Sequence, residues 1–294
     1  MGTGIVTWLR GLLRYGPPPW RATADGVDID VPGIGRLDIR LHPSGDRWIS
    51  DPLRQGNVLE PYVLAVLRDL VRPGDTMLDV GGNIGWFTVI GSRLVGPQGR
   101  VVAVEPERGN AALVRDNIAR NGCGNAELFE IAAGAVEATA RLYRSPDNSG
   151  DHQMAVASDR AAWVDVTVRP LDAVVSTKVD VVKMDTQGSE VLALRGMRGM
   201  LAANPAMRMV LEFWPHGLAQ CGCTTAEFMA LLAGHPRVIW LMDVRGVITH
   251  VTPERLVALA EGAYAPATQA HGDIIVVAAN DAEAISRIAA REKR

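Results

Sequence analysis

Residues 77–91 read MLDVGGNIGWFTVIG. An apolar run leads to an acid, Asp79. Gly81, Gly82 and Gly85 then fall within five positions, and an apolar helical pattern resumes. A strand, a glycine turn and a helix in this order bring bare backbone close to a ligand, because glycine admits angles closed to other residues. Two phosphate-binding solutions fail here. A dinucleotide turn needs G-x-G-x-x-G, and Asn83 stands where its second glycine belongs; a P-loop needs a lysine after its last glycine, and none follows. Asp79 suits an ammonium or amide better than a phosphate, since a carboxylate repels an anion. The next apolar run ends in Glu105, an acid placed to accept hydrogen bonds from both hydroxyls of a ribose. The implied ligand is a nucleoside with a cationic, amino-acid-like tail and no phosphates. S-adenosylmethionine has these features. A nicotinamide cofactor is the alternative, and a turn that only packs is the purely structural one.

The surrounding pattern positions these residues. VDIDV and RLDIRL alternate apolar and polar residues around PGIG, which signals a hairpin. From Val58 to Val71 apolar residues recur at three and four, an amphipathic helix that Pro73 and Gly74 stop. Short apolar runs then alternate with helical stretches. TMLDVG, RVVAVEP, AELFEIAAG, VDVVKMD, MRMVLEFW, RVIWLMD and DIIVVAAN read as seven strands. This is a doubly wound, mostly parallel α/β sheet of the Rossmann-like kind, with a reversed strand allowed at its edge. Residues 135–178 interrupt the rhythm with ATARLYRS and WVDVTVRPL, an inserted β-hairpin flap. The expected organisation is an N-terminal cap at 1–57, a main domain at 58–280 and a terminal helix and tail at 281–294.

Composition narrows the function. The chain has 294 residues, is 48% hydrophobic and carries a formal charge of -3, so it lacks the basic footprint of a nucleic-acid binder. Three cysteines, Cys123, Cys221 and Cys223, form neither a disulfide framework nor a zinc pair, and read as reduced structural thiols of a cytoplasmic protein. Residues 4–13 are apolar but interrupted by Arg10 and too short to span a bilayer. They read as a helix packed on the body or on a second copy in a homodimer; a membrane-surface contact through Trp8, Leu9, Leu12 and Leu13 is the alternative.

LDVGGNIGWFTV, VVAVEP, NIARNG, DVVKMDTQGSEVLALRGM and LEF together resemble the FkbM family of S-adenosylmethionine-dependent methyltransferases, from about Pro73 to Trp214. The resemblance implies a class I methyltransferase fold. It implies that Asp79, Gly81, Asn83 and Gly85 surround the methionine part of the cofactor, and that Glu105 holds the ribose. Glu130 and Ala132 then lie near the adenine, and Asp185 between cofactor and acceptor. Two departures stand out. Gly82 replaces the usual alanine, and Thr186 and Gln187 replace the hydrophobic residue and glutamate of many relatives.

Methyl transfer to a hydroxyl requires alignment and a proton acceptor. Among six histidines, His152 stands out beside Asp151 in the polar stretch DNSGDHQM, as a base supported by an acid; a solvated loop histidine is the other reading. Asp185 orients the acceptor or caps the next helix. Lys183 needs an acidic partner if buried, with Glu190 or Glu212 the candidates. Asp151, His152, Asp185 and Glu212 include enough oxygens for a divalent cation such as magnesium, though no spacing demands one. His42, His216 and His271 lie beside turns, and Trp86 and Trp214 either wall the pocket or fill the core. The expected reaction is O-methylation of a small molecule, a sugar or polyketide-type natural product. N-methylation of an amino sugar, an NAD-dependent oxidation, and a noncatalytic nucleoside-binding module are the alternatives.

Overall fold

A computed structural model describes residues 20–155 and 162–292. The helix expected at 4–13 and the last two residues of the tail lie outside the described residues. The chain begins with β1 (Trp20–Ala22), β2 (Gly26–Val31), β3 (Gly35–Arg40), α1 (Ser50–Arg54) and α2 (Pro61–Leu70). Next come β4 (Thr76–Val80), α3 (Trp86–Val95), β5 (Arg100–Val104), α4 (Arg108–Arg120), β6 (Ala126–Phe129), β7 (Ala132–Ala133), β8 (Ala138–Tyr143) and β9 (Trp163–Arg169). The second half holds α5 (Leu171–Val174), β10 (Val181–Met184), α6 (Glu190–Arg195), α7 (Arg198–Ala203), β11 (Arg208–Phe213), α8 (Pro215–Gln220) and α9 (Thr225–Leu232). It ends with β12 (Arg237–Asp243), β13 (Ile248–Val251), α10 (Pro253–Glu261), β14 (Gly272–Ala278) and α11 (Ala282–Ala289).

The central sheet runs β13-β12-β14-β11-β10-β4-β5-β6. Its five strands from β11 to β6 are parallel; β14, β12 and β13 pair antiparallel. The sheet therefore has eight strands, not seven. The extra strand is β13, in which ITHV shows no apolar run because only its first and last residues are buried. The apolar strands are covered on both faces, as parallel sheets must be. One face packs on α2, α3, α11 and the inward side of the N-terminal hairpin, and the other on α6, α9 and α10.

The N-terminal hairpin forms where its alternation places it, turning at Pro32–Gly33 with Gly33 at φ +76°. Its edge strand β3 is closed by a helix. Asn117 on α4 and Asn121, its C-cap, lie one turn apart. Their side-chain oxygens accept from the Arg40 and Asp38 N–H groups at 2.6 and 3.0 Å, and their amides donate to the same residues' carbonyls. This satisfies backbone groups that an open edge leaves exposed.

The third expected strand is broken. AELF stays in the central sheet, while Ala132 and Ala133 leave it and pair parallel with β9. The insert is thus a three-stranded sheet, β7-β9-β8, rather than a hairpin alone. The stretch GSEVLALRGMRGML forms two short helices, α6 and α7, separated at Gly196, where a Cβ would lie 2.0 Å from the Gly134 carbonyl oxygen. Among the described residues, no helix is long and apolar enough to cross a membrane.

Candidate active site

The chain starts its central sheet with β4, lays β5 and β6 to one side, then crosses to β10 and β11 on the other. Strand order reverses between β4 and β10, and a cleft at such a point is where open α/β sheets bind ligands. The cleft here has a volume of about 1300 Å³ and is lined by Gly81, Gly82, Asn83, Glu105, Ala132 and Asp185 among others. The loop after β8 adds Asp151 and His152.

The glycine turn is built by backbone bonds. Gly81 and Gly82 N–H both donate to the Val104 carbonyl, at 2.9 and 3.0 Å. Gly81 has φ +84°, and a Cβ on it would lie 1.8 Å from the Asp185 carbonyl oxygen. This glycine lets the ends of β4 and β10 meet. Asn83 also has positive φ, at 50°; its backbone N–H donates to Glu105 Oε2 at 2.8 Å, and its side-chain amide donates to the Ser149 carbonyl at 2.8 Å. Gly85 does a packing job, with the Val114 Cα on α4 3.2 Å from where its Cβ would stand.

Glu105 is 5% exposed and lies on the cleft wall. Besides Asn83, it accepts from Glu107 N–H at 2.9 Å and from the Asn110 amide at 3.4 Å. Burial pushes its carboxyl up to about 7, against the pull of those donors and with help from the Glu107 charge.

A polar network missed by the sequence reading runs from this carboxylate to the N-terminal segment. Asn110 and Asn83 amides both donate to the Ser149 carbonyl. Ser149 in turn donates its N–H and hydroxyl to the two oxygens of buried Asp46, each at 2.9 Å, and Ser50 donates to the same carboxylate from its N–H and hydroxyl. Burial alone would raise the Asp46 carboxyl; the Ser149 and Ser50 donors prevail and hold it below its usual value. His42 belongs to this network, its Nε2 2.8 Å from the Asn110 side-chain oxygen, and does not line the cleft. Only the turn-forming character of DRWISD and DNSGD hinted at these contacts; their pairing is tertiary. Asp46→Ala strands buried donors, so we expect a loss of about 1–3 kcal/mol, measured by urea unfolding.

Asp79 is fully buried beneath the turn instead of facing a ligand. Its Oδ2 accepts from the Thr88 hydroxyl at 2.6 Å, and its Oδ1 has no partner among the described residues. Burial raises its pKa, while Lys183 on the adjacent strand and Thr88 oppose the rise. Glu130 turns away to Arg115 and does not line the cleft.

Lys183 is 5% exposed, and its partner is Asp185 at 3.6 Å, not Glu190 or Glu212. It also lies over the Phe87 ring, 5.0 Å from the centroid. Burial alone would lower its pKa; the carboxylates of Asp185, Glu60, Asp79 and Asp273 reverse this and raise it. Gln187, with φ +53°, donates its amide to Asp185 at 2.8 Å and to Glu212 at 3.2 Å. A strained backbone at a cleft wall is the kind found at functional sites. Glu190 instead closes the β10–α6 turn, accepting from Thr186 N–H, the Thr186 hydroxyl and Gly188 N–H.

His152 Nδ1 accepts the Ser145 N–H at 3.1 Å. The neutral ring therefore carries its proton on Nε2 and is a donor there. His216 and His271 line the cleft, and His216 is held by Pro266 and Gln220. Trp86 and Trp214 both line it, so neither is merely core. No group of three or more metal-ligating side chains is assembled among the described residues; Asp151, His152, Asp185 and Glu212 do not form one. The three cysteines are unpaired, and burial pushes the Cys221 thiol up to about 12, which keeps it unreactive.

The cleft thus has the peptide backbone of the glycine turn and Glu105 on one part of its wall and Asp185 on another. The chain is 32% identical over 74 residues to a protein-L-isoaspartate O-methyltransferase from Methanopyrus kandleri, a match covering 24% of this chain and 33% of that protein. A crystal structure of the methyltransferase FkbM from Methylobacillus flagellatus aligns with 19% identity and a TM-score of 0.43, over 69% of this chain and 43% of that one. A SAM-dependent methyltransferase from Aquifex aeolicus aligns with 14% identity and a TM-score of 0.41, over 74% of this chain and 89% of that one. The chain thus spans less than half the length of the first two. Residues 79–231, just over half of the chain, match the methyltransferase FkbM domain, the segment that holds Asp79, the glycine turn, Glu105 and Asp185. The chain belongs to the FkbM methyltransferase family.

Proposed function

We propose that this protein transfers a methyl group from S-adenosylmethionine to a hydroxyl of a small molecule, with sugars and polyketide-type natural products as the acceptor classes. The observation that carries the reading is Glu105: a buried carboxylate on the cleft wall, beside a glycine turn, with no arginine among the described residues that line the cleft. The donor set fits the cofactor. Glu105 receives the ribose hydroxyls, Ile131 and Ala132 flank the base, and Gly81 to Asn83 leave backbone open to the amino-acid tail. When bound, the cofactor supplies a methyl group on a sulfonium sulfur.

The residues of this chain orient the acceptor and take its proton. Asp185 is held from two sides, by the Gln187 amide and the Lys183 ammonium. It accepts the acceptor hydroxyl's hydrogen bond and then its proton. His152 is reassigned from base to donor, because receiving a proton at Nε2 requires the ring to give up its bond from Ser145. Asp151 stands next to it on the loop. The Gly81 and Gly82 N–H groups already donate to Val104 and the Asn83 N–H to Glu105, so the turn has no spare backbone donors there for a pyrophosphate, which counts against the oxidoreductase alternative.

The experiment is calorimetric titration with S-adenosylhomocysteine and with NAD at pH 6 and 8. Only the first is expected to bind. Ribose hydroxyls donate to ionised Glu105, so binding favours loss of its proton. With that carboxyl near 7, affinity is fully present above pH 7 and falls below it, by about tenfold from pH 8 to pH 6. Tight NAD binding, or affinity that rises towards pH 6, contradicts the reading. Acceptor-dependent release of S-adenosylhomocysteine excludes a noncatalytic module.

A further inference from the structure

Gln187 stands in the left-handed region at φ +53°, beside Gly188 at φ +98°. A residue needed only to turn the chain would be a second glycine, for which this conformation is open. The side chain of Gln187 is committed. Its amide nitrogen donates to Asp185 Oδ1 at 2.8 Å and to Glu212 Oε1 at 3.2 Å. Both contacts are carboxylate oxygens, which fixes the end of the amide that points at them.

The same glutamine is gripped through its backbone. Glu190 Oε1 accepts from the Thr186 N–H at 2.8 Å and from the Gly188 N–H at 3.2 Å, the residues on either side of Gln187. The Glu190 and Glu212 carboxyls are in turn hydrogen-bonded to each other. The Oε2 atom of each is buried and meets no N–H donor among the described residues. Two carboxyl groups bond only through a proton held between them. One shared proton therefore answers both oxygens. It closes a ring that runs from the peptides around Gln187 through Glu190 and Glu212 to the Gln187 amide. Burial raises both carboxyls, and the neighbouring Asp185 charge adds to the rise, which keeps that proton in place.

We propose that Gln187 is a positioning residue for the proton acceptor, its amide turned on Asp185 by a Glu190–Glu212 pair that shares one proton. This rests on the methyltransferase reading above, in which Asp185 receives the proton of the acceptor hydroxyl. Gln187 takes Oδ1 and Lys183 lies 3.6 Å from Oδ2, so the plane of the carboxylate is set from both oxygens. An N–H directed at a carboxylate also favours its ionised form, the form that can take a proton.

The Gln187 amide does this without adding charge to a crowded place. The charged groups around Asp185 are Lys183, Asp79 on β4, Glu212 on β11, Asp273 on β14, Glu190 on α6 and Glu60 at the start of α2. A carboxylate in place of Gln187 would be one more charge of the prevailing sign, set against the group that has to stay ionised.

The test is a carbon-13 NMR titration of the full chain with its aspartate side-chain carboxyls labelled, the Asp185 signal being identified by its loss in Asp185→Asn. Gln187→Glu removes a donor and adds a like charge, so the Asp185 midpoint is expected to rise by about one pH unit or more. Gln187→Met keeps the length and loses the donor. It is expected to raise the midpoint by less, and it decides the matter should Gln187→Glu fold poorly. Glu212→Gln reads the shared proton. Its amide nitrogen takes the proton's place towards Glu190 while its oxygen still accepts from Gln187. The pair then keeps one charge, and the Asp185 midpoint is expected to stay within about 0.3 pH units of the parent. A Gln187 that only forms the turn leaves the midpoint where it is. A smaller rise than expected in Gln187→Glu, or none in Gln187→Met, overturns the positioning role. A departure beyond the margin in Glu212→Gln overturns the shared proton, a fall meaning that both carboxyls are ionised in the parent. Binding of S-adenosylhomocysteine by the parent is measured alongside by calorimetry. Its absence counts against the methyltransferase reading instead, and the titrations still decide what Gln187 does to Asp185.

Discussion

Gly81→Ala is expected to lose a large share of the protein's stability, whereas Gly82→Ala, one residue on, is expected to be at least as stable as the parent. At Gly81 the backbone has φ +84°, and the added methyl carbon would stand 1.8 Å from the Asp185 carbonyl oxygen. That oxygen is main chain at the end of β10, so relief means separating β4 from β10. The left-handed conformation costs about 1–2 kcal/mol and the crowding about 1–3 kcal/mol more. Together these remove about 2–5 kcal/mol, a large share of a natural stability of about 5–15 kcal/mol. At Gly82 the nearest atoms to an added carbon are 3.6 to 3.8 Å away, in ordinary contact, and the backbone is not left-handed. There an alanine restricts the unfolded chain and raises stability by about 0.4–1 kcal/mol. The alanine common in the resembling family therefore fits this turn. Urea unfolding of both variants checks the pair. Equal stabilities would refute the close approach of β4 and β10.

Asp185→Ala is expected to lower kcat by about 10²–10⁴-fold, the contribution of a positioned proton acceptor, and to leave S-adenosylhomocysteine affinity unchanged. The carboxylate lines the cleft, and its two neighbours fix it from opposite sides. Removing it takes away the group that receives the hydroxyl proton and leaves the glycine turn and Glu105 in place. His152→Ala is expected to cost less, about tenfold, since a neutral donor contributes about 0.5–1.5 kcal/mol. Acceptor-dependent release of S-adenosylhomocysteine measures both. The reverse ranking would restore His152 as the base and place the proton path through the loop after β8.

The parts of this site that are local in sequence were legible. The glycine turn, Glu105 and Asp185 each follow a short, valine-rich apolar run whose length and composition favour a buried strand, so their place at the sheet's carboxyl edge follows from the pattern. Residues recruited by tertiary packing were not. Glu60 precedes a proline at a helix start, Asp273 opens an apolar strand, and Asp46 and Ser149 meet across 103 positions. Nothing near any of them in the chain says what it faces. Asp79 has the right spacing for a ligand, but strand alternation hides its direction until the neighbouring elements are known; it is fully buried and accepts from the Thr88 hydroxyl on α3. The tautomer of His152 depends on the Ser145 N–H seven residues earlier in a loop, where no periodicity speaks. Strand β7 does not separate from β6 in the sequence, because Ile131 to Gly134 is as apolar as β6 and only the pairing with β9 distinguishes them.

One measurement bears on the central claim most directly: a crystal structure of this protein with S-adenosylhomocysteine. The account predicts the ribose hydroxyls within hydrogen-bond distance of Glu105, and the sulfur between the Gly81–Asn83 turn and Asp185. A cleft left empty at saturating ligand, or one holding a nucleotide with its phosphates against the glycine turn, would contradict it.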